Sequence, residues 1–337
     1  MLLHHQPRSQ ACWTARSVQA FRHTALPHSL ISFHNSKHQQ RRNYQPNHTC
    51  QRYMRVCRSS ASAFGLSEDQ APGLLRLAAK LEVFPVMQRL QAEILHEIKD
   101  GIAAVAMPTR LAQDGMHIYN SPDGDATVVV EVSKGRQVEW LVASCTALVA
   151  MDVGTVRINA FPDSTTRIPK LDIELFHFFG KVAMYVNLLP RANLVLNEEY
   201  LERYYKTKMG PKAREWHDLE LACMADPAFQ PYKTRSQDMR VVTGQTGLFY
   251  MADASVANTQ KCGEYAREAT AIWLELLQQA DGLVTDPAEA EQLAAFDAKL
   301  YEFIRKDPDN EKVVALFGEQ AVQQMVQLGS RDSAIVL

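Results

Sequence analysis

Between Phe84 and Met107, apolar side chains return at every fourth position. Val86, Leu90, Ile94, Ile98 and Ile102 form one stripe with charges between them, which predicts an amphipathic helix ended by Pro108. Beyond it the texture changes to short runs rich in Val, Ile, Phe and Tyr: Thr127–Val132, Val138–Cys145, Thr155–Phe161, Leu171–Phe178 and Lys181–Leu188. Turn-forming stretches separate them, among them Ser133-Lys134-Gly135-Arg136, Asp152-Val153-Gly154 and Phe179-Gly180. Connectors this short cannot hold crossover helices, so the strands should pair antiparallel. From Glu198 onward the pattern is again helical. Glu198-Glu199 open one helix, Pro211 restarts one, and Thr259–Gln279, Pro287–Ile304 and Glu319–Leu328 form three more. Helices before and after an antiparallel sheet predict an α+β fold, a three-layer α/β/α sandwich with a central antiparallel sheet. A single domain over residues 72–330, after a short linker ending near Pro72-Gly73, is the economical division.

Charge adds a boundary that hydropathy does not show. The 337 residues carry 36 basic and 38 acidic side chains, a formal net charge of −2, with 46% hydrophobic residues. That balance argues against a general nucleic-acid binder, and the composition excludes disordered and collagen-like classes. The first acid, however, is Glu68. The preceding 67 residues hold eight Arg, one Lys and seven of the eleven His, leaving a net −11 on residues 68–337. An Arg- and Ser-rich, acid-free leader has the character of an organelle transit peptide, expected over residues 1–63, with the chloroplast stroma preferred to the mitochondrion as its address. The stretch Arg55 to Ala63 resembles a plastid processing site, which places the mature start at residues 58–64. A basic disordered tail is the alternative with the same composition. Ser29–Phe33 is too short an apolar run for a secretory signal.

The candidate chemistry is narrowed first by what is missing. There is no G-x-G-x-x-G, phosphate loop, H-E-x-x-H or G-x-S-x-G; Thr243–Gly247 reads as a turn. Past the leader only Cys145, Cys223 and Cys262 remain, too scattered for a zinc site or disulfide framework and too few for an iron–sulfur cluster. His96, His117, His177 and His217 do not cluster, so no metal is expected. One strand is more informative. In Leu171-Asp172-Ile173-Glu174-Leu175-Phe176, alternation puts Asp172, Glu174 and Phe176 on one face. With both faces covered, Glu174 would be partly buried and could keep a proton near neutrality; with that face open, the acids would simply be solvated. A basic run, Arg203, Lys206, Lys208, Lys212 and Arg214, interleaved with Tyr204 and Tyr205, contains no acid. It is either a solvated helix face or a patch that steers an acidic partner, aided by Lys233, Arg235 and Arg240.

Three stretches resemble a known family. Leu188-Leu189-Pro190-Arg191-Ala192-Asn193-Leu194-Val195-Leu196-Asn197-Glu198-Glu199-Tyr200-Leu201-Glu202-Arg203-Tyr204-Tyr205 is similar to the LPR-x-x-LVL…YL-x-x-YY motif of red chlorophyll catabolite reductases. Phe161-Pro162-Asp163-Ser164-Thr165-Thr166-Arg167-Ile168-Pro169 resembles the family's approach to its substrate-binding glutamate, and Leu316-Phe317-Gly318-Glu319-Gln320-Ala321-Val322 its C-terminal LFG motif. The matches keep family order over residues 110–328.

The resemblance implies kinship with ferredoxin-dependent bilin reductases: an α/β/α sandwich that binds no flavin or metal. It implies reduction of the open-chain tetrapyrrole red chlorophyll catabolite to a colourless, fluorescent product. Reduced ferredoxin would give electrons singly and protein carboxylates would give protons. The family's glutamate falls on Glu174 without a gap. Its C-terminal aspartate falls on Asp307 with one inserted residue, or near Asp309 without it; Pro308 and the segment 206–260 depart from the pattern. Self-association as a homodimer and contact with the upstream ring-opening oxygenase are carried by the resemblance alone. Two rival readings stand beside it: a bilin reductase acting on a biliverdin-like substrate, and a non-catalytic tetrapyrrole-binding or scavenging protein.

Overall fold

The computed structural model describes residues 64–207, 215–234, 237, 240, 246–279, 282–307, 309–332 and 335. Residues 1–63, read from the sequence as a leader with its processing site, lie outside them. Helix α1 (Pro72–Lys80) leads into α2 (Val83–Ile102), whose stripe of Val86, Leu90, Ile94, Ile98 and Ile102 is buried throughout. Full burial of side chains of this kind stabilises by roughly 1.5–3 kcal/mol each, which is why the stripe fixes how α2 lies on the sheet. The helix stops five residues before Met107. Ala103 takes the left-handed conformation (φ 52°), its N–H reaching the Lys99 and Asp100 carbonyls, and the chain turns into β1 (Val105–Ala106).

The remaining strands are β2 (Met116–Asn120), β3 (Ala126–Gly135), β4 (Val138–Leu148), β5 (Val153–Pro162), β6 (Lys170–Phe178), β7 (Lys181–Leu189), β8 (Gln230–Pro231) and β9 (Leu248–Asp253). Every pairing is antiparallel, in the order β1-β3-β4-β5-β6-β7-β9-β8, with β2 also on β3. The C-terminal half supplies α3 (Glu198–Leu201), which continues as a π-helical turn over Glu202–Lys206. It also supplies α4 (Trp216–Ala225), α5 (Val256–Gln278), α6 (Pro287–Arg305), α7 (Asp309–Phe317) and α8 (Glu319–Gly329). Pro211, read as a helix start, lies outside the described residues.

The two sheet faces are covered unequally. One carries Val129, Ala143, Cys145, Val156, Ile158, Ile173, Leu175, Met184 and Val186 against α1, α2 and α5, in the large core. On the other, a smaller cluster of Val128, Val130, Val132, Trp140, Val142 and Phe161 packs on Tyr301, Phe317, Met325 and Leu328 from α6–α8. The sandwich therefore has its predicted three layers, but the outer one on this second face sits over the β3–β5 side of the sheet. Two motif stretches explain how it is fastened. Arg191 donates to both carboxylate oxygens of Asp297 on α6 and to the carbonyls of Asp163 (2.9 Å) and Thr166 (2.5 Å). Arg167 grips Glu289 of α6 with Nε and Nη2, while Tyr200 Oη donates to the Arg167 carbonyl at 2.9 Å. Among the described residues, no helix is long and apolar enough to cross a membrane.

Candidate active site

Beyond the reach of the small apolar cluster, the second sheet face turns polar. Register alone sets out the floor: Arg157 of β5 stands opposite Glu174 of β6, which stands opposite Tyr185 of β7, then Phe249 of β9. One rung along, Asn159, Asp172 and Asn187 form a second row; on the opposite side, Phe176 faces Thr155 and Ala183. Directly opposed residues share a face in an antiparallel pair, so all these side chains project into the same space. Aromatic rings bound it on the β6–β9 side. Phe176 stacks on Phe178 (centroids 5.3 Å), Tyr232 meets both edge-on, and Tyr185 stacks on Phe249 at 4.4 Å. The floor is thus a polar strip between rings and the α6–α8 layer.

Glu174 keeps about a fifth of its side chain exposed, with 20% accessible surface, and Arg157 Nη2 donates to its Oε2 at 2.7 Å. Burial pushes its carboxyl above the ordinary value; the Arg157 charge and hydrogen bond pull the other way, and the charges of Asp172 and Asp307 reinforce the rise. Asp172 accepts a hydrogen bond from Asn159 and lies 3.8 Å from the Lys170 ammonium. Lys170 is itself buried, its Nζ 4.1 Å from the Phe161 ring centre, and desolvation lowers its pKa. Burial also raises the Tyr185 phenol well above its usual range. A carboxyl balanced between desolvation and a cation can exchange a proton with a bound molecule, the property a general acid needs.

The sequence-predicted groups are brought together unevenly. Asp172, Glu174 and Phe176 share the face that alternation predicted. Asp307, just past α6, is close enough for its charge to act on both Arg157 and Glu174. Asp309 opens α7. Of the basic run, Arg203 lies half-buried over the Tyr204 ring and Lys206 is exposed, 3.4 Å from Glu202; Lys208, Lys212 and Arg214 lie outside the described residues, as does Arg235. Tyr204 and Tyr205 are buried, so this segment is not a wholly solvated face. His96 and His217 are exposed beside Asp100 and Glu220, whereas His117 meets Thr109 and His177 the Asp152 carbonyl. The three cysteines are buried free thiols, with Cys145 and Cys223 pushed up to about 12 by desolvation. Sequence reasoning missed Arg157, Asn159 and Asn187. The available signal was the alternation Thr155-Val156-Arg157-Ile158-Asn159, which mirrors that of β6.

Comparison with known proteins adds three findings. The family model described as red chlorophyll catabolite reductase matches residues 86–328. The chain is 22% identical over 259 residues to a chloroplastic red chlorophyll catabolite reductase of Arabidopsis thaliana, covering 72% of this chain and 79% of that one. Its fold is similar to that of tomato phytochromobilin synthase, solved in complex with biliverdin. The TM-score is 0.59 at 16% identity, over 73% of this chain and 84% of the other.

Proposed function

The chain belongs to the red chlorophyll catabolite reductase family, and from that premise we propose that it reduces the open-chain tetrapyrrole red chlorophyll catabolite to a colourless, fluorescent product on the polar floor of the sheet. The observation that carries this reading is the placement of Glu174: a desolvated carboxyl beside aromatic rings, on the sheet face that the C-terminal helices leave partly open. An extended conjugated pigment can lie against such rings while its polar edges meet Glu174, Asp172 and Arg157. Electrons come singly from reduced ferredoxin, with no cofactor bound to the chain, and the reaction saturates a carbon–carbon unit of the pigment. Glu174 delivers a proton to the reduced pigment and Asp307 is the second acid. General acid catalysis of this kind contributes typically ~10²–10⁴-fold.

Ferredoxin docks at the run Arg203 to Arg214, because an acidic donor approaching residues 68–337 at net −11 needs a local positive patch. Residues 1–63 act as the address to the chloroplast stroma, in keeping with the chloroplastic relative. There the partners are ferredoxin and the upstream ring-opening oxygenase, with the reductase a homodimer. The test is anaerobic incubation of the purified protein with red chlorophyll catabolite, ferredoxin and a ferredoxin-reducing system. Ferredoxin-dependent bleaching with appearance of a fluorescent product is expected; a spectral shift without bleaching would replace the reductase reading with a pigment-binding one. The fold shared with phytochromobilin synthase favours one rival, a bilin reductase, and preferential turnover of biliverdin in the same assay would select it.

A further inference from the structure

Opposite the proposed acid stands a group of different chemistry. Arg157 faces Glu174 across the β5–β6 pair, and its Nη2 donates to Glu174 Oε2 at 2.7 Å. The strand beneath it is pinned from the far side of the sheet, where the buried Gln91 of α2 donates Nε2 to the carbonyls of Ser144 (2.8 Å) and Arg157 (3.0 Å). Its guanidinium therefore projects from a fixed backbone point. Among the described residues, the following groups surround the pair. On β6, Asp172 is two residues along and bonded to Asn159, with Lys170 beyond it; β7 contributes Tyr185 and Asn187; β9 contributes the Phe249 ring; Asp307 brings its charge from the end of α6. Arg157 thus pairs directly with Glu174 and feels the charges of Asp172 and Asp307 as well.

We propose that Arg157 is a positioning residue for proton transfer, holding the spent Glu174 carboxylate between turnovers and so setting how readily the protonated acid gives up its proton. The proposal rests on the reading of Glu174 as the acid. In the step concerned, one reduced ferredoxin passes one electron to the pigment and becomes oxidised. The Glu174 O–H bond breaks, its proton forms a new bond on the pigment anion, and the electron pair stays on the carboxylate, which pairs with Arg157. Solvent then reprotonates Glu174 for the next electron. Without a cation at this point, the new carboxylate would be left desolvated beside two other acids, and the transfer would run uphill.

The experiment compares Arg157→Gln, Arg157→Lys, Glu174→Gln and the Arg157→Gln/Glu174→Gln double variant, all in the full chain. Difference infrared spectroscopy of the unliganded proteins follows the Glu174 carboxyl C=O band, identified by its loss in Glu174→Gln. In Arg157→Gln the band should persist to a pH higher by about one unit or more, because an opposite charge at this range lowers a carboxyl by one to three units. Arg157→Lys should restore part of the shift. In turnover, Arg157→Gln should lower kcat roughly tenfold with a smaller change in KM and move the alkaline limb upward. The double variant should be no slower than Glu174→Gln alone, since the arginine acts through the acid. An unmoved infrared titration in a folded Arg157→Gln protein overturns the proposal whatever the pigment. Should that variant fail to fold, the titration of Arg157→Met, which also removes the charge but keeps a long side chain, decides in its place. A shifted titration in a protein that never bleaches the pigment would uphold the Arg157–Glu174 coupling and defeat the reductase reading instead.

Discussion

Replacing Asp297 with Ala tests how the outer helices are held over the site. Asp297 and Arg191 have side chains only 6% and 1% exposed, and three hydrogen bonds of 2.6–3.2 Å join them. Alanine leaves the guanidinium buried, with the Asp163 and Thr166 carbonyls accepting from Nη1 but no countercharge. Breaking a buried pair from one side typically costs ~3–5 kcal/mol, mostly the price of the stranded charge. For a domain of this size each kcal/mol moves the melting temperature by about 2–4 °C, so a fall of roughly 6–20 °C is expected. The assay is thermal and urea unfolding of the full chain beside Glu302→Ala. The Lys299–Glu302 pair is 73% and 48% exposed and should count for no more than about 0.5 kcal/mol. The reasoning fails if Asp297→Ala loses no more stability than Glu302→Ala. It would mean that water or local rearrangement solvates Arg191, and that α6 is not fastened through this pair.

Three further outcomes follow from individual contacts. Glu174→Gln should bind the red pigment yet turn it over at least ~100-fold more slowly, with Asp307→Asn milder and Asp309→Asn near normal; steady-state bleaching rates check the order. Glu139 ion-pairs with Arg331, but burial outweighs that and lifts its carboxyl to about 7. A raised folded-state value favours the protonated form, so its contribution is full below the unfolded value of 4.5 and is lost as pH rises through 7. Glu139→Gln should therefore gain on the parent between pH 5 and pH 8, on the order of 2 kcal/mol, in urea melts at each pH; a parent that gains instead would show the Arg331 attraction to be dominant. At Gly154, an added Cβ would come within 2.5 Å of Phe84 Cδ2 and 3.0 Å of Leu77 Cδ2. Gly154→Val should accordingly cost ~1–3 kcal/mol by overpacking, and an unchanged urea midpoint would show that α1 and α2 can give way.

The elements most legible in the sequence were those whose pattern recorded their own burial. The fourfold stripe of α2 buries one helix face, β5–β7 alternate, and β3 and β4, whose apolar runs bury both faces, are equally apparent; strand ends were readable within three residues. Ala103 could not be anticipated as a helix terminator, because a left-handed alanine is held by the surrounding turn rather than by any preference of its own. Helix α1 was not read from the sequence, because Pro72 marks the end of a linker and a first helical turn equally well. Strand β9, six residues long, and the five-residue edge strand β2 are too short to establish a period. Helix α7 was hidden by the same Asp307-Pro308-Asp309 stretch that left the proposed second acid between two positions. Its stop is Gly318 (φ 82°), within the LFG motif.

The site divides along a different line. Alternation along β6 placed Asp172 and Glu174 on one face, but whether that face was wet or covered depends on where α6–α8 lie, and no strand encodes that. What settles it is tertiary: Arg167 and Arg191 hold α6 by its acids, so that the outer layer covers the β3–β5 side and Glu174 keeps only part of its surface in contact with solvent. Arg157 was obscure for a second reason. Its strand shows the same alternation as β6, Arg157 and Asn159 alternating with Val156 and Ile158, but their partners depend on register, which a one-residue slip would reassign to the opposite face. Complementarity could have fixed it. Only the observed register sets a cation against Glu174 and an amide against Asp172 while keeping Val156 and Ile158 opposite Leu175 and Ile173. The polar pairs and the apolar pairs therefore specify one alignment of the two strands. The chemistry of the floor and the packing of the core beneath it are consequences of the same register.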